Sequence, residues 1–157
     1  LRLDSSNAET HNNYGWFLCQ RGKERDSIQH FIEALKNPLY KTPEKAYLNA
    51  GMCSKKAGNM KDAEDFLKKA LRIQPAMSEA LLGMAEASFA NAAYTEAKSY
   101  FKRYIQGNPP SLNAASLWLA VRIERKLGDR KAEESYAAQL RKRFPDAPET
   151  QLMRRGQ

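Results

Sequence analysis

A spacing of 34 residues constrains this chain more than any single residue does. Ala63, Leu67 and Pro75 are matched by Ala97, Phe101 and Pro109 at that distance (97−63, 101−67, 109−75). A period of this length holds one pair of antiparallel helices, too small a unit to bury its apolar face alone. Such units stack into a superhelix whose curved inner wall is a surface for other chains rather than a reaction vessel.

The pattern extends in both directions. Ser27, Phe31 and Ala34 stand 36 residues before Ala63, Leu67 and Ala70 (63−27), and Gly15 stands likewise before Gly51. Ala132 and Tyr136 follow Ala97 and Phe101 at 35 residues (132−97). Four full repeats are therefore expected, at 8–41, 44–77, 78–111 and 113–146, in one domain covering 1–157. Small residues (Gly51 with Ala63, Ala85 with Ala97) belong where paired helices cross, and bulky ones (Phe31, Leu67, Phe101, Tyr136) wedge between units. Pro75 and Pro109 stop second helices. These marks resemble the tetratricopeptide repeat, and the fold expected is all-α, a right-handed superhelical solenoid of helix–turn–helix units. Leu1-Arg2-Leu3 echoes Leu71-Arg72-Ile73, so residues 1–7 read as the end of a preceding repeat, with any leader or anchor upstream. Pro148 and Glu149 suit a first helical turn, and residues 148–157 read as a short capping helix.

Charge points toward partners without naming one. The chain carries 26 Lys and Arg against 18 Asp and Glu, a net +8. Basic residues nevertheless alternate with acidic ones on second helices, as in Lys61-Asp62-Ala63-Glu64-Asp65, which is a solvated face with local ion pairs. Arg141-Lys142-Arg143 closes a helix, where cations complement the dipole. No nucleic-acid module is recognisable, and nucleic acid is not expected as a partner. The mean hydropathy is −0.71, with no apolar run of membrane-spanning length.

Catalytic chemistry finds no foothold. His11 falls at a repeat position that usually packs, and His30 reads as an exposed residue of a second helix. Neither belongs to a metal-ligand or nucleophile–base pattern. Glu64-Asp65 and Glu133-Glu134 are adjacent, so a helix points their carboxylates apart. The expectation is a non-enzyme with no cofactor, metal or small-molecule substrate.

First helices of this repeat present positions 2, 5, 9 and 12 to the inner wall, a spacing that makes one stripe. Those positions hold Glu9, Asn12, Trp16 and Cys19, then Lys45, Leu48, Met52 and Lys55. Glu79, Leu82, Glu86 and Phe89 follow, then Ala114, Leu117, Val121 and Glu124. A solvated wall would be polar, whereas this one carries an apolar stripe, the mark of a partner site. The expected groove therefore comprises Asn12, Trp16, Lys45, Leu48, Met52, Lys55, Leu82, Glu86, Phe89, Leu117 and Val121. Curvature could instead bury Leu48 and Leu117. The lysine–asparagine–arginine clamp that captures chaperone carboxylates is absent, since Glu79 and Gly83 stand in its place.

Cys19 is the twelfth residue of its repeat and Cys53 the tenth of the next, both on first helices. They read either as two buried thiols or as a bridge, with redox compartment deciding. Asn12-Asn13-Tyr14-Gly15-Trp16-Phe17-Leu18-Cys19 and Asn49-Ala50-Gly51-Met52-Cys53-Ser54 resemble the type IV pilus biogenesis lipoproteins of the PilW and PilF kind. The resemblance includes the two-residue insertion around Pro38-Leu39-Tyr40 and Thr42-Pro43. It implies a periplasmic protein held to the outer membrane by an upstream lipid, a pilotin that helps the secretin subunit reach that membrane and multimerise. It also implies a Cys19–Cys53 disulfide. The competing reading is a generic cytoplasmic tetratricopeptide adaptor, since fold does not dictate function.

Overall fold

The computed structural model describes residues 5–107 and 111–157, and the chain there is helical with no strand. Its helices are α1 (Ser5–Gln20), α2 (Glu24–Leu35), α3 (Pro43–Lys56), α4 (Met60–Ile73), α5 (Ser78–Ala90), α6 (Tyr94–Gln106), α7 (Ala114–Leu127), α8 (Arg130–Arg143) and α9 (Pro148–Arg154). Each odd helix from α1 to α7 packs on the even helix that follows it, and each even helix through α6 packs on the next odd one. Successive first helices also touch, α1 on α3 and α3 on α5. This is the expected tetratricopeptide solenoid, closed at its C-terminal end by α9 against α7 and α8. The expectations for Leu1-Arg2-Leu3 and Pro109 lie outside the described residues.

The same turn joins the two helices of every repeat. Residues Gly22, Gly58, Ala92 and Gly128 adopt φ of 77°, 83°, 59° and 76°. The next amide in each case donates back to a carbonyl five residues earlier. These are Lys23 to Leu18 at 3.0 Å, Asn59 to Ser54 at 2.9 Å, Ala93 to Ser88 at 2.8 Å and Asp129 to Glu124 at 3.0 Å. The closure satisfies carbonyls that the helix end would orphan, and it needs a left-handed residue, hence glycine in three turns of four. Asn59, Asn113 and Asp129 then cap α4, α7 and α8 through their side-chain oxygens.

Close helix crossings explain the small residues. A Cβ on Gly51 would lie 2.6 Å from Leu67 Cγ and 3.3 Å from the Ala63 carbonyl, and one on Gly15 would lie 2.8 Å from Phe31 Cε1. Leu67 and Phe31 are fully buried, so neither can retreat.

The fourth repeat runs one residue later than its sequence spacing suggested. Its turn residue Gly128 follows Ala92 at 36 residues (128−92), as Pro145 follows Pro109 (145−109). In α8 the buried residues are Ala137 and Leu140, while Ala132 and Tyr136 are half-buried. The marks at Ala132 and Tyr136 were therefore matched one position early. Tyr136 belongs with His30, Phe66 and Tyr100, a column of half-buried rings along the second helices.

Candidate partner-binding wall

The one-residue shift rewrites the last quarter of the wall. Leu117 and Val121, expected in the groove, are fully buried and pack with Trp118, Ala137 and Leu140 under Leu152 and Met153 of α9. They are core residues, because α7 is rotated one position relative to the expected register and α9 seals that face. Glu124 is also buried, accepting a hydrogen bond from Lys98 Nζ at 2.9 Å. With Gly128 aligned to Ala92, the equivalents of Leu82, Glu86 and Phe89 are Trp118, Arg122 and Arg125, each 36 residues on (118−82, 122−86, 125−89).

The other expected residues divide by exposure. Trp16 is 41% exposed and Lys45 is exposed, whereas Leu48, Met52, Lys55, Leu82, Glu86 and Phe89 are half-buried. Asn12 is a correction: it is buried at 4% exposure, and its Oδ1 accepts from Asn49 Nδ2 at 3.0 Å, so it joins α1 to α3 instead of facing a partner. Tyr14 and Phe17, which the wall positions did not include, are exposed beside Trp16 on α1, with the Arg21 guanidinium 4.4 Å from the Phe17 ring. The α1 end of the wall is thus its most aromatic surface.

First helices are held to one another by a different chemistry at each seam. Between α1 and α3, Cys19 and Cys53 are joined by a disulfide with Cα atoms 5.9 Å apart, both side chains buried. That separation lies in the middle of the range a bridge requires. Between α3 and α5, Lys55 pairs with Glu86. Between α5 and α7, the Arg122 guanidinium lies 4.9 Å from the Phe89 ring centre and 5.4 Å from that of Trp118. Burial pulls the Arg122 guanidinium below its ordinary value, and only the charge of Glu86 works the other way. Arg122 escaped the sequence reading, although a signal was present. Its column holds Met52 and Glu86, the wall residues of α3 and α5, and a spacing of 36 from Glu86 reaches it where 35 reaches Val121.

The remaining polar groups are structural. His30, expected to be exposed, is half-buried, with Nδ1 3.1 Å from His11 Nδ1 and Tyr14 edge-on at 4.7 Å. Its position in the ring column accounts for the burial. Among the described residues no cluster of three or more His, Cys, Asp or Glu side chains could hold a metal. No described helix is long and apolar enough to cross a membrane. A cavity of about 290 Å³ opens between α6, α7 and α8, lined by Phe101, Ile105, Ile123 and Tyr136, and it includes none of the wall side chains.

Stacked helix pairs, a shared turn and an inner face built from first helices define a tetratricopeptide-repeat protein, a class of protein-interaction scaffolds. A family profile described as tetratricopeptide repeat matches residues 55–120. The crystal structure of PilW, described as a widely conserved type IV pilus biogenesis factor, superposes with a TM-score of 0.84 at 38% identity. That match covers 94% of this chain and 67% of PilW. The structure of Pseudomonas aeruginosa PilF gives a TM-score of 0.86 at 29% identity, over 98% of this chain and 68% of that one. The type IV pilus assembly protein PilF of Pseudomonas aeruginosa is 30% identical over 151 residues, 96% of this chain. The chain spans 59% of that curated relative's length. This chain belongs to the tetratricopeptide-repeat family of type IV pilus biogenesis proteins that includes PilW and PilF.

Proposed function

We propose that this protein is a non-catalytic pilotin that binds the secretin subunit of the type IV pilus machinery and promotes its multimerisation in the outer membrane. The observation that supports this most is the match to PilW along 94% of the chain. The aromatic α1 and the paired cysteines, two features that the fold alone does not demand, fit an envelope protein in an oxidising compartment. In this reading the protein is periplasmic, held at the outer membrane through an upstream lipid. A tethered repeat array that binds secretin subunits raises their local concentration where the pore must form. It also covers strand edges that would aggregate in transit.

The partner segment lies along the inner wall, with Trp16, Met52 and Phe89 as apolar anchors and Lys45, Lys55 and Glu86 setting its direction. Replacing Trp16 by alanine should cost about 2 kcal/mol or more of secretin binding, as for buried aromatic anchors generally. Deleting the gene should leave secretin monomers abundant while SDS-resistant multimers and surface pili fall. Normal multimer levels in the deletion strain would refute the pilotin role.

A further inference from the structure

Among the described residues, the wall contains a half-buried cation with nothing to bind. Lys55 is paired with Glu86, and Arg125 donates Nε to Glu133 at 2.7 Å and Nη1 to the Gln157 carbonyl at 2.8 Å. Arg122, between them, donates no hydrogen bond to any described residue, and its Nε is sealed from solvent without a partner. Its guanidinium lies against two aromatic side chains, Phe89 and Trp118. Glu86 is the acid whose charge acts on it, yet its carboxylate is taken by Lys55.

A guanidinium is normally kept at such a site by a carboxylate, because removing it from water without one is costly. Here the two rings supply cation–π attraction and orientation, but leave the fork of N–H donors empty. The residue is therefore fixed in place before any partner arrives, and little side-chain freedom remains to be lost on binding.

We propose that Arg122 is the acid-recognising residue of the wall: the bound partner segment places an aspartate or glutamate side chain on its guanidinium, beside an apolar side chain seated on Phe89. The inference rests on the groove reading above and adds to it the chemistry of the occupant. Charge favours this occupant, since Lys45 is exposed farther along the same wall and the chain as a whole is +8. A chain-terminal carboxylate is the weaker candidate, because Glu79 and Gly83 stand where a terminal-carboxylate clamp needs donors. The bidentate fork also makes lysine a poor substitute, as a point charge cannot reproduce it.

The test measures binding of the purified secretin subunit to the wild type and to Trp16→Ala, Arg122→Gln, Arg122→Lys and Arg122→Met, the last retaining an apolar stem against Phe89. Arg122→Gln and Arg122→Met should melt at or above the wild-type temperature, because they remove an unpaired half-buried charge, whereas Arg122→Lys keeps a cation and removes only the fork. Each should bind at least about tenfold more weakly, through faster dissociation. Neutralising each acidic residue of the bound segment in turn should reveal one position that matters to the wild type and not to Arg122→Gln. Wild-type affinity in the Arg122 variants while Trp16→Ala binds weakly would overturn this inference alone. Wild-type affinity in all four would overturn the groove reading with it. Loss of the coupling when the secretin C-terminus is amidated, with no acidic side chain mattering, would refute the side-chain assignment.

Discussion

Replacing Cys19 and Cys53 together by alanine should destabilise the protein by about 4–5 kcal/mol and do so at one end. The bridge closes a 34-residue loop containing all of α2. The chain-entropy treatment assigns a loop of that length about 4 kcal/mol, by restricting the unfolded chain. Loss of two buried sulfurs from the cluster with Phe31 and Ala50 adds about 1 kcal/mol at most, since alanine keeps each Cβ. In a domain of this size each kcal/mol moves the melting temperature by about 2–4 °C, so a fall of about 8–20 °C is expected. Because a solenoid is stabilised by neighbouring units, the loss should concentrate in α1 to α3. Native-state hydrogen exchange would read this directly: amides of α1, α2 and α3 lose protection, while those of α7 and α8 keep theirs. A drop in stability below about 1 kcal/mol, or an even loss of protection along the array, would refute the reasoning.

Three further perturbations probe the frame. Ala92→Gly should raise stability by about 0.5–1 kcal/mol in thermal denaturation, because alanine at φ 59° costs about 1–2 kcal/mol and glycine's extra chain entropy returns only part of it. Lys98→Met should cost about 1–3 kcal/mol by leaving Glu124 buried without its cation, and adding Glu124→Leu should recover most of the loss in a chemical-denaturation cycle. The Asp129 carboxyl should titrate below the ordinary aspartate value of 3.8, because it accepts the Ala132 amide and lies beside Lys98. A depressed carboxyl stabilises the fold above its unfolded value and loses that contribution as the pH falls through the folded one. The cap should therefore persist to acidity below 3.8, and carbon-detected NMR titration of Asp129 would show it.

The parts of the fold legible in the sequence are those governed by contacts within one repeat. Gly51 with Ala63, the wedging Leu67 and the stop at Pro75 recur because every unit solves the same local problem, and a fixed period exposes them. What the period could not supply was an insertion hidden among similar residues. Ala132 and Tyr136 mimic an alanine–aromatic pair one position early, and alanine neighbours give no penalty that would reveal the slip. That single residue moved Leu117 and Val121 from wall to core. It also hid Arg122 and Arg125, the half-buried residues that stand on the wall in their place, and Trp118, which is buried beneath them. Asn12 failed for a different reason: its hydrogen bond to Asn49 is made between repeats, and no pattern inside one repeat encodes it.

The three seams also make the array mechanically uneven. A covalent tie between α1 and α3 admits almost no change in their separation, whereas an ion pair between α3 and α5 can lengthen and a stacked guanidinium between α5 and α7 can slide. The seam between α1 and α3 is therefore the one that most resists a change of width. On the groove reading proposed above, a partner segment meets a surface of set width at Trp16 and a less tightly tied one at Phe89. Reduction of the disulfide would remove the strongest of these ties, leaving hydrogen bonds such as Asn12–Asn49 to hold the exposed aromatic surface of α1 against α3.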